Sequence, residues 1–275
     1  MPTYRGNRGN LMQHWVLAEL VTSLRDMVGS PSELCFIDAH AMAPFAERHH
    51  SPGQTASDFD AVLRALPGQR SPYELTWRTT APAAGTQYPS SAVFVRAIWD
   101  RSLHLLLCES DCETAQTIRA WLGTLDVGVT SHELRHDDWR SRFRSGLPGD
   151  KGAYLISFDP YMFDQHRVRA KPGTMYPSDL LIAGVALLGL PERPTVVQLS
   201  TYSANNANRQ YDVVLVVEPF FTAAGFTLAA EVRADGNMMS LVFARSTPEP
   251  FTLCDLPTRF ARWLAAVPGM SEEIV

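Results

Sequence analysis

Little in this sequence speaks for a membrane, a metal or a secreted protein. The longest unbroken apolar run extends only from Leu180 to Leu190, short of the about 20 residues that a bilayer-spanning helix needs. Met1 to Asn10 is polar and lacks the order of regions that marks a secretory leader, so a cytoplasmic location with no membrane partner is expected. Cysteine is scarce, with Cys35, Cys108, Cys112 and Cys254 making up the set. Cys35 and Cys108 fall in apolar runs that read as buried strands, a common place for free thiols. Cys108 and Cys112 have no second Cys/His pair at zinc-finger distance, and His49-His50 has no partner at fixed spacing, so no metal is expected. Positive charge is not in excess either. A net charge of -5 and a pI near 5.9 give no broad attraction for nucleic acid and leave room only for a local basic groove. Internal repeats and low-complexity tracts are absent from the sequence.

What is there suits a packed domain. Hydrophobic residues are 45% of 275 and charged residues 19%, enough to build a substantial core. Met12, Trp15, Val16, Leu20, Leu24 and Met27 recur at helical spacing, which predicts a helix from Leu11 to about Val28, capped by Asn10 and stopped by Gly29 and Pro31. Glu33–Asp38 reads as a buried parallel strand ending in a carboxylate. Ser57 and Asp60 resemble a capping box for a short helix, and Pro67 to Pro89 reads mostly as loop. Residues 46–88 are therefore expected to form an insertion within a single domain spanning 1–275. Beyond it, helix is expected at Ser90–Trp99, Asp111–Leu122 and Ser178–Leu188. Strand is expected at Leu103–Cys108, weakly at Ser131–Arg135, and at Ala153–Phe158 and Thr195–Tyr202. This alternation implies right-handed crossovers and a mainly parallel, Rossmann-type α/β sheet. Tyr211–Val217, Phe226–Arg233 and Met238–Arg245 read as strands, the last two joined by a tight turn at Gly236-Asn237, and Thr258–Ala266 as a closing helix.

In open α/β sheets ligands lie beyond the carboxyl ends of the strands. Three such ends carry acids: Asp38-Ala39-His40, Cys108-Glu109 and Asp159-Pro160-Tyr161. Glu109, ending the second strand, is placed to accept hydrogen bonds from a ribose; its plain alternative is a solvated residue at a helix start. Asp159 can accept from an amino group, and Tyr161 and Phe163 can stack on a flat base or simply fill a loop. Asp38 and His40 either line the pocket or cap a turn. His14 is a ligand contact or a hydrogen-bonded histidine on an apolar helix. The Asn-rich loop Ser203 to Gln210 is a weaker substrate contact. Arg135 to Arg144 reads as a solvated helix face in preference to a phosphate track.

These residues, in this order, resemble the bacterial 23S rRNA adenine-N6 methyltransferase family of the J type. The resemblance rests on Tyr4-Arg5, Gly6-Asn7, Met12-Gln13-His14-Trp15-Val16-Leu17, Ile37-Asp38-Ala39-His40-Ala41, Tyr88-Pro89-Ser90-Ser91, Asp137-Asp138-Trp139 and Asp159-Pro160-Tyr161-Met162. It covers Tyr4 to about His166 and is diffuse beyond. It implies a Rossmann-like class I methyltransferase fold closed by an antiparallel C-terminal hairpin. It also implies S-adenosylmethionine as cofactor, held by His14, Asp38, His40, Ser91, Glu109 and Asp137, with Asp159, Pro160 and Tyr161 as the catalytic turn acting on an adenine amino group in RNA. The sequence departs from that family at Met42 and Pro44, where it has two glycines, at Gln13, where it has lysine, and at Tyr161 and Met162. These departures keep two other readings in view, a degenerate methyltransferase serving as a binding or scaffold subunit for a partner protein, and an enzyme turned to a small-molecule or peptide substrate.

Overall fold

The computed structural model describes residues 8–29, 32–47, 71–84, 87–125, 129–160, 162–164, 173–202, 208–234, 238–247 and 253–266. Helix α1 (Arg8–Val28) buries Met12, Trp15, Val16, Leu20 and Leu24, is buried on every side from Leu11 to Val21, and ends at Gly29, whose φ of 62° is a left-handed stop. It begins before Asn10, which lies inside the helix and does not cap it. Strand β1 (Leu34–Asp38) follows, then β2 (Phe45–Glu47), α2 (Pro72–Ala84), β3 (Gln87–Pro89) and α3 (Ser91–Ile98). Next come β4 (Leu103–Cys108), α4 (Cys112–Leu122), β5 (Val129–Arg135), α5 (Trp139–Arg144) and β6 (Ala153–Phe158). The short pair β7 (Met162–Phe163) and β8 (Thr174–Met175) precedes α6 (Pro177–Leu188) and β9 (Thr195–Tyr202). The chain closes with α7 (Asn208–Ala223), β10 (Thr227–Ala234), β11 (Met238–Arg245) and α8 (Leu256–Ala265).

Seven strands form one sheet in the order β10-β11-β9-β6-β1-β4-β5. All neighbours are parallel except those of β11, which runs against both β9 and β10. Every residue of β1, β4 and β6 is buried, as expected of strands covered on both faces. Edge strand β5 carries Glu133 and Arg135 and is partly exposed throughout, which discourages pairing with another chain. One apolar cluster packs α1, α3, α4 and α8 on one side of the sheet, and a second packs α5, α6 and α7 on the other. This strand order, with one reversed strand next to the end, is the class I methyltransferase arrangement.

Two segments differ from expectation. Residues 72–84, expected as loop, form α2: Pro72 starts the helix, Ser71 Oγ accepts the Glu74 N–H (3.2 Å), and Tyr73 and Trp77 are buried. A proline-rich composition is overridden by two aromatic anchors at i and i+4. Strand β3 then pairs antiparallel with β2 from before this stretch. Tyr211–Val217, expected as strand, lies inside α7. Val213, Val217 and Phe221 point inward at four-residue spacing while Leu215 is 70% exposed, so the apolar run has helical period despite its β-branched residues. The helix expected around Ser57–Leu66, the Gly236-Asn237 turn and His49-His50 lie outside the described residues.

Arg140 ties the far side together. Its Nε donates to Asp179 Oδ1 (2.7 Å) and its Nη2 to the Thr174 carbonyl (3.1 Å), while Asp179 Oδ2 accepts the Tyr176 N–H (2.8 Å). One guanidinium thus fastens α5, β8 and the start of α6. Arg142 pairs with Glu133. These two arginines of the 135–144 segment are held in ion pairs, which does not favour a phosphate track. Among the described residues no helix is long and apolar enough to cross a membrane.

Candidate functional site

Asp38 is the last residue of β1 and lies level with Ser157 on β6 and Leu107 on β4. Its Oδ1 accepts the His40 N–H (3.1 Å). The His40 ring reaches across to the next strand end, where Nδ1 accepts the Asp159 N–H (3.2 Å). A ring nitrogen that accepts from a backbone amide carries no proton, so the neutral tautomer has its hydrogen on Nε2. Burial agrees, pushing the His40 imidazole down to about 3. Asp38, His40 and Asp159, singled out from sequence, are thus brought together.

Burial pushes the Asp38 carboxyl up to about 7, with Asp159 and Glu109 adding to the rise. Burial likewise pushes Asp159 up to about 7, opposed by a hydrogen bond from the Gln13 side chain. Glu109, just past β4, is raised by burial, and its Oε1 accepts the Asp111 N–H (2.7 Å). Three carboxyls at the ends of β1, β4 and β6 therefore raise one another or are raised by burial. Such a cluster favours a ligand that brings positive charge or hydrogen-bond donors, because that ligand relieves the cost of ionisation.

The sign of the stability effect follows. A carboxyl whose folded-state pKa lies above its unfolded value stabilises the protein fully below about pH 4, and loses that contribution as pH rises through about 7. Asp38→Asn should therefore raise the melting temperature at pH 8 more than at pH 5. Thermal unfolding at the two pH values checks it; equal shifts would contradict the buried, uncompensated carboxyl.

His14 and Ser91 form a second group. His14 Nδ1 contacts Tyr88 Oη (3.0 Å) and Nε2 contacts Ser91 Oγ (3.1 Å), and Tyr88 Oη lies 3.2 Å from Tyr73 Oη. The imidazole stacks between Tyr88 and Phe94 (centroids 5.3 and 4.9 Å), and burial pushes it down to about 3. Both ring nitrogens are thus engaged within the protein. Asp137 is exposed and turned to the Asp138 N–H (2.7 Å), while Asp138 caps α5 through the Arg140 N–H (3.0 Å). Pro160 is buried. Tyr161 and residues 203–207 lie outside the described residues. Phe163 is 2% exposed and belongs to the core cluster below the sheet, which leaves no open face for a base.

Met42 and Pro44 lie in the loop that follows β1. The Ala39 N–H donates to Ser157 O (3.0 Å) and the Ala41 N–H to Cys108 O (2.9 Å), so the loop stays clipped to both neighbouring strands past the end of β1. Met42 packs against the cluster on the α1 side. Pro44 is buried, and its carbonyl accepts the Ser90 N–H (2.9 Å). Ser90 has the extended conformation of a helix cap but makes no side-chain cap bond, and its Oγ is buried without a partner among the described residues. Gln13 and Ser90 were quoted from sequence only within the resembling motifs, without a binding role of their own. For Gln13 the signal was its place where the resembled family has lysine, on a helix that is otherwise largely apolar.

S-adenosylmethionine carries a sulfonium, an amino group and two ribose hydroxyls, which are donors or positive, and one carboxylate. The first set suits Asp38 and Glu109; the carboxylate suits the uncapped start of α3 and the orphaned Ser90 Oγ. The donor set therefore fits the cofactor. Among the described residues no group of three or more His, Cys, Asp or Glu is placed to hold a metal.

No protein-family model matches the chain, and no curated protein matches it. Solved structures do. Protein LPL1258 from Legionella pneumophila superposes with a TM-score of 0.66 at 14% identity, covering 97% of this chain and 96% of that one. The putative methyltransferase yhhF from Escherichia coli gives 0.44 at 11% identity over 90% and 92% of the two chains. SMU.1697c from Streptococcus mutans, a putative methyltransferase solved in complex with SAH, gives 0.45 at 10% over 84% and 96%. The sheet order and the superposition on LPL1258 together establish a Rossmann-like α/β fold, a mainly parallel sheet closed by an antiparallel C-terminal hairpin.

Proposed function

We propose that this protein is an S-adenosylmethionine-dependent methyltransferase acting on an amino nitrogen, of the adenine-in-RNA type that the sequence resembles. The observation that carries this reading is the convergence of Asp38, Glu109 and Asp159 at the carboxyl ends of β1, β4 and β6, beside a helix start with an unused hydroxyl. Glu109 would accept the ribose hydroxyls. Asp38 would face the amino-acid portion, with Ser90 and the start of α3 at its carboxylate. When bound, the cofactor supplies an electrophilic methyl group on a positive sulfur.

The chain's own task is then alignment and exclusion of water. Asp159 accepts an N–H of the substrate amino group, holding the nitrogen lone pair toward the methyl carbon and stabilising the positive charge that develops there. His40, neutral and fixed through its Nδ1, holds the backbone of that turn without competing for the proton. The role of His14 is indirect: it fixes Ser91 and Tyr88 at the start of α3. An adenine target has to be unpaired or extruded to enter such a site.

Calorimetric titration with S-adenosylmethionine tests the reading. Binding in the micromolar range, on the order of -8 kcal/mol, is expected. Absence of heat at millimolar cofactor would refute it.

A further inference from the structure

Helix α6 is packed onto the sheet by Leu180, Ala183 and Leu187, all buried. Its opposite side is open. Leu181 is 57% exposed, Val185 70% and Leu188 58%, and their spacing of four and three residues sets them in one row along the helix. Leu215 faces outward from α7 in the same way. Both helices return between parallel strands and lie side by side. Gly184 is turned toward the Phe220 carbonyl, so Leu215 comes level with the beginning of the row. Among the described residues five large apolar side chains are exposed, and four of them are these. Single exposed leucines are ordinary on a soluble protein; a contiguous group marks an interaction surface.

The row carries no charge. Between Pro177 and Leu188 the one ionisable side chain is Asp179, buried and held by Arg140. Nucleic acid would need cations here, and a membrane surface would need basic residues beside the apolar ones; α6 contains no Lys or Arg. An uncharged apolar face is complemented by another such face, and this row is its own complement. Val185 sits near its middle, with Leu181 about 6 Å along the axis to one side and Leu188 about 4.5 Å to the other. Turned about a two-fold axis through Val185, α6 runs antiparallel to its copy. Val185 then meets Val185, and each Leu181 falls opposite a Leu188. The four exposed side chains present on the order of 400 Å² of apolar surface, half of the about 800 Å² that each partner of a standard interface buries, which is the usual apolar share within a polar rim. We propose that this face is the interface of a homodimer, formed by α6 and the outward side of α7 of two copies about that two-fold axis. The row begins after the first turn of α6 and runs away from the carboxyl ends of the strands, so the axis lies apart from Asp38, Glu109 and Asp159. The dimer does not depend on the cofactor reading.

Sedimentation equilibrium of the full chain, from about 1 to about 100 µM, tests it. The mass should rise to twice that of one chain within this range. Val185→Glu should raise the dissociation constant at least about 100-fold, because it brings two carboxylates together on the axis. Its far-UV circular dichroism should be unchanged, since the position is exposed. A second measurement locates the axis. With the exposed Cys112 and Cys254 both changed to serine, Val185→Cys should cross-link to a second copy under a mild thiol oxidant. Gln116→Cys, exposed on α4 across the sheet, should not. A single-chain mass at every concentration overturns the proposal, and so does a dimer that Val185→Glu leaves intact. Cross-linking no faster through position 185 than through 116 also overturns it. A chain that stays single yet is captured by phosphatidylcholine vesicles would assign the face to lipid and overturn the dimer.

Discussion

Asparagine in place of Asp159 should cut methyl transfer to stripped large-subunit ribosomal RNA by at least about 100-fold, the scale set by removing one aimed electrostatic group. S-adenosylmethionine affinity should stay within a few-fold. The substitution keeps the shape and exchanges an acceptor for a donor. The new NH2 would then meet the substrate's own N–H. The backbone N–H at 159 still reaches His40 Nδ1, so the turn keeps its place. The fall should appear in kcat with KM little changed, because the lost contact strengthens as charge develops on nitrogen. Transfer of a labelled methyl group, read beside calorimetry on the same sample, measures both. Turnover equal to that of the unmodified protein would mean that the reacting nitrogen is held elsewhere.

The second large effect is on stability. Asp179→Ala should lower the unfolding free energy by about 3 kcal/mol, in the range seen when one partner of a buried ion pair is removed. The carboxylate side chain is 6% exposed and that of Arg140 22%, so water cannot fully replace the lost contact. Asp179 also accepts the Tyr176 N–H at the start of α6, and a lost helix-start contact adds to the cost. Urea denaturation gives the value directly. A loss under about 1 kcal/mol would place this pair with ordinary surface salt bridges. Because Arg140 also holds Thr174 O, loosening should reach the segment that returns from the Asp159 turn.

Much of the sheet was readable from the sequence. β1, β4, β6 and β9 are short apolar runs bounded by polar residues, and the parallel strands that end in acids gave their ends away. The misreadings share one cause. α2 contains proline, threonine and alanine in a composition typical of loops, and only the burial of Tyr73 and Trp77 against α1 and α3 makes it a helix. α7 contains Val213, Val214, Val216 and Val217, a strand-like run whose helical period shows only when the inward set reaches Phe221. In both, tertiary packing outweighs local preference.

The site divides the same way. That Asp38, Glu109 and Asp159 would meet was legible, since acids at the ends of adjacent parallel strands are neighbours by construction. Which way each side chain turns was not. Asp137 turns to its own neighbour's N–H, and His14 spends both nitrogens inside the protein. Those choices depend on partners from other elements, which spacing along one element cannot encode.

Strand β11 is the eleventh in the chain but lies inside the sheet, between β9 and β10. During synthesis, then, everything through residue 234 can leave the ribosome with a gap where a rib belongs. Until Met238–Arg245 arrives, β9 has an open hydrogen-bonding flank and β10 has no neighbour to join. Assembly must finish by threading a late hairpin arm into a slot that is already formed on one side. A nascent chain stalled before that point would present a sticky, one-sided sheet, which makes this the stage at which a holding chaperone has most to cover.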